Sequence, residues 1–338
     1  MRPAVFAAVL LVGLAALAVS PWRVSPYVSA QWLLDYDLEF VKRGIVGAVL
    51  PVEDAATIRL SALILAALAT ASYAALAATL RRYPPEALGF VLLGLLSGQA
   101  LGQFRFDLGR FDQIGFVGAV AALLLLRQST RPAAMLAAGT VVALTILAHE
   151  AMAVVFVPLL AALVWTAARR AVPWFLAPIA VAFLAVSTVG ALDTPLAEAC
   201  AHYPVDCRSL HPLAMPLTHS WAATMAAVLN PRYAVGGAIL ATIGLAWFVL
   251  FASVNRPWLV AFAFSPLALS LVGVDWGRWL HLAVLNGVLL TFHTLSRNEV
   301  RFELSRSVGV ALVVVLVASF VPGSTVEIPR LPAAMTLR

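Results

Sequence analysis

Charge is what this chain has least of. Asp, Glu, Lys and Arg make up 11% of its 338 residues, against 62% hydrophobic residues and a mean hydropathy of +0.96. That balance lies far outside the soluble globular range and predicts a polytopic membrane protein rather than a water-exposed domain. Cysteine is nearly absent, with only Cys200 and Cys207; neither a CxxC pair nor a zinc-type histidine spacing occurs. A P-loop, GxGxxG and GxSxG are missing too, which removes nucleotide-hydrolysing pumps and common serine hydrolases. The pI near 9.9 would suit nucleic acid, but the basic residues stand singly or in pairs at helix ends. That pattern reports topology, so no nucleic-acid partner is expected.

Apolar sequence of membrane-crossing length is abundant instead. We read an all-α helix bundle, a single integral membrane domain over 1–338, with about eleven transmembrane helices. They fall at about 4–21, 58–80, 86–102, 113–127, 133–148, 151–168, 173–192, 234–254, 258–273, 279–295 and 307–322. The first, with Arg2 before it and Ala16-Leu17-Ala18 near its end, has the look of a signal peptide and is expected to stay as an uncleaved span. Spans 113–127, 133–148 and 258–273 are near the minimum length, so a re-entrant segment belongs among the alternatives.

Orientation follows from the cations. With the N-terminus cytoplasmic, the inner ends carry eleven arginines against three glutamates, whereas the outer side receives eleven cations and thirteen acids. The positive-inside rule is then met with the C-terminus outside. No transport rule calls for arginines on the outer face, so those in loops 23–57, 103–112, 193–233 and 274–278 need a local reason.

Four outer clusters supply one. Trp32 to Gly47 packs Asp35, Asp37, Glu39, Lys42 and Arg43 between apolar segments; if helical, Asp35, Glu39 and Arg43 share a face. Residues 102–115 interleave Arg105 and Arg110 with Asp107 and Asp112, suited either to local ion pairs or to guanidinium forks on a phosphate. Asp275 and Arg278 share a face that His281 continues, and charges at the edge of hydrocarbon should face a bundle interior or watery cavity. His149-Glu150 sits between two apolar spans as a polar corner or a buried acid/base pair. Cys200 and Cys207, with six residues between them in one polar loop, are candidates for a short disulfide or two free thiols.

Asp35-x-Asp37 with Glu39 following, just after the first span, resembles the acidic motif of the GT-C superfamily of membrane glycosyltransferases. The wider plan, outer acids and arginines on a many-span bundle, looks like bacterial polysaccharide polymerases of the Wzy class. The short first outer loop, and the lack of a large soluble C-terminal domain, depart from the oligosaccharyltransferase branch. The resemblance implies an outer-face glycosyltransferase using a polyprenyl-phosphate- or diphosphate-linked sugar donor and a glycan or lipid acceptor. It points to Asp35 or Asp37 as base; the compactness and Ala/Leu/Arg-rich composition add the expectation of a bacterial inner membrane, with the site toward the periplasm. Residue chemistry fits: a carboxylate takes the acceptor proton, and Lys42, Arg43, Arg105, Arg110 and Arg278 hold the departing phosphate, alongside Asp112, His149, Glu150, Asp275 and His281. A divalent cation, Mg or Mn, bridging carboxylates and phosphate is an option that the arginines can replace. The rivals are a flippase or transporter of an anionic lipid-linked substrate, expected to show polar or Gly/Pro-broken helices, and a membrane acyltransferase with His149 or His281 as base.

Overall fold

A computed structural model describes residues 24–52, 54–79, 108–203, 231–271 and 275–296, and in these the chain is all-α with no strand. Expected spans 4–21, 86–102 and 307–322, together with Arg105, Asp107 and Cys207, lie outside the described residues.

Helix α1 (Pro26–Leu33) starts where Ser25 Oγ accepts the Val28 N–H at 3.2 Å and Pro26 supplies a preset first-turn φ. After α2 (Ile45–Val49), α3 (Ala55–Thr79) starts where Asp54 Oδ1 accepts the N–H groups of Ala56 and Thr57. Next come α4 (Asp112–Gln128), α5 (Pro132–Ala148), α6 (Met152–Val155) and α7 (Val157–Ala168). A 3-10 turn, Arg169–Ala171, leads into α8 (Val172–Val189). The rest comprises α9 (Leu196–His202), α10 (Pro231–Ala252), α11 (Pro257–Ala263), a 3-10 segment Ser265–Leu271 and α12 (Trp276–Ser296).

Among the described residues, two helical stretches are long and apolar enough to cross a membrane: Ala55–Leu76, and Val157–Val189, which takes in α7 and α8. Pro132–Ala148 and Gly236–Ala252 are shorter apolar helices.

α5 is the centre of the packing, against α4 on one side and α8 on the other. Small residues permit both contacts. A Cβ on Gly118 would run into the Thr145 side chain, and one on Gly139 would meet the Phe175 carbonyl oxygen of α8. Because α4 and α5 are joined by a tight turn and pack together, the start of α4 and the end of α5 lie at one end of the bundle.

Two expected spans are interrupted. The segment 151–168 breaks at Phe156, because Pro158 has no N–H to offer the Val154 carbonyl; Ser265 Oγ donates to that oxygen at 2.8 Å instead. The Asn286 amide of α12 donates to the neighbouring Val155 carbonyl at 2.5 Å. The segment 258–273 breaks at Phe264, with Pro266 in the tighter coil beyond it. The two breaks face each other, since the Ser265–Leu271 coil packs on both α6 and α12.

Candidate functional site

The stretch after Trp32 is not a helix. α1 ends at Leu33, Leu34 is extended, and residues 35–44 form bends and turns, so the expected single face of Asp35, Glu39 and Arg43 does not exist. The cause is local. Arg43 takes φ 74, a left-handed conformation that a helix cannot contain, and the chain folds back so closely that a Cβ on Gly44 would lie 2.6 Å from the Tyr36 ring and 2.8 Å from the Asp35 carbonyl oxygen.

That turn is tied to two helix ends. The Lys42 N–H donates to the Gly190 carbonyl at the C-terminus of α8, and the Arg43 N–H donates to Leu147 O in the last turn of α5. Both carbonyls lack an intrahelical donor, so the turn completes both helices while being fixed by them.

From there the side chains of all four sequence clusters meet. The Arg43 guanidinium donates from Nε and Nη2 to the two Glu150 oxygens, and from Nη1 to the Tyr27 hydroxyl at 2.8 Å. Arg278 donates from Nε and Nη2 to Asp112, at 2.6 and 2.5 Å, and its Nη2 lies 2.7 Å from His149 Nε2. His149 Nδ1 lies 3.3 Å from Glu150 Oε2 and accepts the Ala151 N–H at 3.3 Å. Arg110 donates to Asp275 at 2.8 Å, has its Nε 3.6 Å from Asp112, and lies over the Tyr27 ring at 5.3 Å. A continuous path of ionisable groups therefore runs from Glu150 through His149, Arg278 and Asp112 to Arg110 and Asp275. His281, one turn beyond Arg278 on α12, is buried.

Most of this network is sealed from solvent. Asp112 is fully buried, whereas the Asp275 side chain is 45% exposed and marks where the network reaches the surface. Buried charges at this density persist only when paired and hydrogen-bonded. Burial, with the Arg43 charge next in effect, lowers His149 from 6.5 to about 4, so the ring is neutral at pH 7. Burial alone would raise Glu150, but Arg43 and His149 outweigh it and hold the carboxyl well below its ordinary value. Burial lowers the Lys42 ammonium against the pull of Glu150.

Asp35 and Asp37 stand apart from that path, on the outer side of the same turn. Asp35 Oδ1 accepts the Asp37 N–H at 3.0 Å and faces the Tyr203 hydroxyl at 3.3 Å. Glu39 turns away from both, and its Oε1 accepts the N–H groups of Asp193 and Thr194; the Thr194 N–H holds its carboxyl below the usual range. Glu39 thus anchors the segment after α8 instead of joining the aspartates. That segment leads into α9, whose Cys200 is disulfide-bonded. The free-thiol alternative does not hold for Cys200.

At the end of α9, His202 comes to Asp35 and Asp37, so that one ligand atom from each of the three lies within 4.8 Å of the others. Two carboxylates and an imidazole form a donor set for a divalent cation such as Mn, which tolerates nitrogen better than Mg does. His202, Tyr203 and Tyr27 are not among the sequence-derived candidates. His202 and Tyr203 lie more than 160 positions from the aspartates, which hid them, and their place beside Cys200 was the one signal available; Tyr27, eight positions before Asp35, carried no charge to single it out.

No protein-family model, no curated protein and no solved structure matches this chain.

Proposed function

We propose that this chain is a membrane glycosyltransferase or polysaccharide polymerase acting at the outer face, on a polyprenyl-phosphate- or diphosphate-linked sugar. The observation that carries the reading is the convergence of four separate charged segments at one end of the bundle, with Asp35 and Asp37 on the turn beside Arg43. We place the eleven-span protein in a bacterial inner membrane, N-terminus cytoplasmic and site toward the periplasm. The exposed apolar rows Leu60, Ile64, Leu68 on α3 and Val181, Leu184 on α8 support a lipid-facing surface.

In this mechanism Asp35 or Asp37 takes the proton of an acceptor hydroxyl. The hydroxyl oxygen bonds to the anomeric carbon as the carbon–oxygen bond to phosphate breaks, and phosphate leaves with the electron pair. Arg43 has all three donor nitrogens committed to Glu150 and Tyr27, so it positions the turn. Arg110 and Arg278 are the phosphate-facing groups. Asp275 lies between them, 2.8 Å from Arg110 and 3.6 Å from Arg278, at the exposed edge, and its carboxylate marks where a phosphate oxygen would sit. Asp35, Asp37 and His202 are placed to hold a divalent cation, which when bound would neutralise donor phosphate charge.

A transporter or flippase is the second reading, favoured by the paired helix breaks at Phe156 and Phe264. Their freed carbonyls at Val154 and Val155 are already taken by Ser265 and Asn286, which favours a fixed scaffold over a moving gate.

The test is surface polysaccharide and lipid-linked precursor in cells carrying Asp35→Asn, Asp37→Asn or Arg278→Ala at matched protein levels. Loss of polymer with precursor accumulating at the outer leaflet supports the enzyme. Precursor trapped at the inner leaflet supports the flippase and overturns it.

A further inference from the structure

Two buried glutamines have no structural employment. Gln31 and Gln113 are buried, with relative exposures of 0% and 3%, and among the described residues neither the amide nitrogen nor the amide oxygen of either finds a hydrogen-bond partner. Each leaves both ends of an amide unmet, whereas Asn255 and Asn286, also buried, leave only the oxygen. A buried amide stripped of water and given nothing in return costs stability, so such a group calls for an explanation.

Their positions supply one. Gln31 follows Tyr27 by one turn on α1 and shares its face, and Tyr27 bonds Arg43 through its hydroxyl and lies against Arg110 through its ring. Gln113 adjoins Asp112 on the first turn of α4, and its N–H donates to the Arg110 carbonyl. Gln31 is thus linked to Arg110 through Tyr27, and Gln113 through its backbone, at the end of the bundle where Asp275 meets solvent.

We propose that Gln31 and Gln113 read the sugar hydroxyls of the lipid-linked donor, an inference that rests on the glycosyl-transfer reading above. A hydroxyl both donates and accepts, which is what a carboxamide offers in return; a phosphate only accepts and would be repelled by the amide oxygen. With Arg110 and Arg278 taking the phosphate, neutral amides beside them suit the uncharged ring attached to it. Enclosure of a sugar here gives selection by unmet hydrogen bonds, which discriminates against an analogue lacking the hydroxyl far more strongly than apolar contact does.

The experiment uses the full chain in detergent, with thermal unfolding read for wild type, Gln31→Met, Gln113→Met and Gln31→Leu. Each is measured alone, with a polyprenyl phosphate, and with the same lipid carrying a hexose. Without lipid, the methionine variants should melt at or above the wild-type temperature, because each replaces an unpaired buried amide with an apolar chain of similar length. Wild type should gain more from the glycosylated lipid than from the bare one, and the variants should gain equally from both. Variants that keep the extra gain, as when the amides hold an internal water only, overturn the assignment while leaving the donor reading intact. Variants that melt well below wild type overturn it as well, since the amides would then be partnered. A wild type that responds to neither lipid overturns the donor reading and the sugar assignment with it.

Discussion

Arg278 and Asp112, 166 positions apart in sequence, form a two-pronged ion pair, with the guanidinium Nε and Nη2 at 2.6 and 2.5 Å from the two carboxylate oxygens. The pair joins the first turn of α12 to the first turn of α4, and His149 extends it to the end of α5. Three helices are thereby fastened at one end by polar groups whose removal leaves a charge in a place water does not reach.

The contrast between Asp112 and Asp275 is the clearest consequence. Both meet Arg110 and Arg278, but Asp112 is fully buried and Asp275 is 45% exposed. Asp112→Asn should cost about 3–5 kcal/mol, as expected for a broken buried pair. Asp275→Asn should cost about 1 kcal/mol or less, as for an exposed one. Denaturant unfolding of both variants in the same detergent checks the difference, and equal losses would contradict it.

Arg43 predicts a reversal of the usual ranking of small residues. At φ 74 a glycine backbone is unstrained and an alanine is not, while both remove the contacts to Glu150 and Tyr27. Arg43→Gly should therefore be more stable than Arg43→Ala by about 1 kcal/mol. Thermal unfolding of the two side by side decides it, with alanine equal or better as the contrary result.

Acid should loosen the site. His149 falls from 6.5 to about 4 on folding, and Glu150 also falls. In each case the unfolded chain takes up a proton at a pH where the folded chain does not, so lowering the pH favours unfolding. Stability should be level above about pH 7, decline from 6.5 towards 4 as the His149 contribution is lost, and decline further as Glu150 protonates. His149→Gln should flatten the upper part of that decline. A melting temperature that rises between pH 6.5 and 4 would refute the assignment.

Gly139→Ala tests the packing beneath the site. The new methyl would collide with the Phe175 carbonyl, a backbone atom that cannot swing aside, so α5 and α8 must separate. A loss of about 1–3 kcal/mol is expected. Because α5 and α8 hold the carbonyls that fix the Lys42–Arg43 turn, protease should also cut that turn faster in the variant.

Helical class was legible in the composition, and the apolar runs at 58–80, 113–127, 133–148, 173–192, 234–254 and 279–295 correspond to helices within a few residues. Pro158 and Pro266 stand in the sequence just beyond the breaks at Phe156 and Phe264, but the groups that take the freed carbonyls, Ser265 for Val154 and Asn286 for Val155, lie more than a hundred positions away and could not be read from it. The polar candidates Arg43, Arg110, Asp112, His149, Glu150, Asp275 and Arg278 were legible for a related reason. An ionised group beside hydrocarbon has to be paired, so its presence in such a sequence is itself a signal.

Which charge pairs with which was not. Spacing along one helix pointed to Asp35, Glu39 and Arg43 together, yet Arg43 meets Glu150 and Glu39 meets the backbone of Asp193 and Thr194. The sequence alone determines that this chain folds as helices around apolar surface and that its few charges concentrate between the apolar runs. The tertiary structure decides that those charges form one buried network, that His202 joins Asp35 and Asp37, and that Gln31 and Gln113 are left unpaired. The physical reason is range: apolar burial and helix periodicity act along a few turns, whereas an ion pair is specified by two residues whose separation in the chain says nothing of their distance in space.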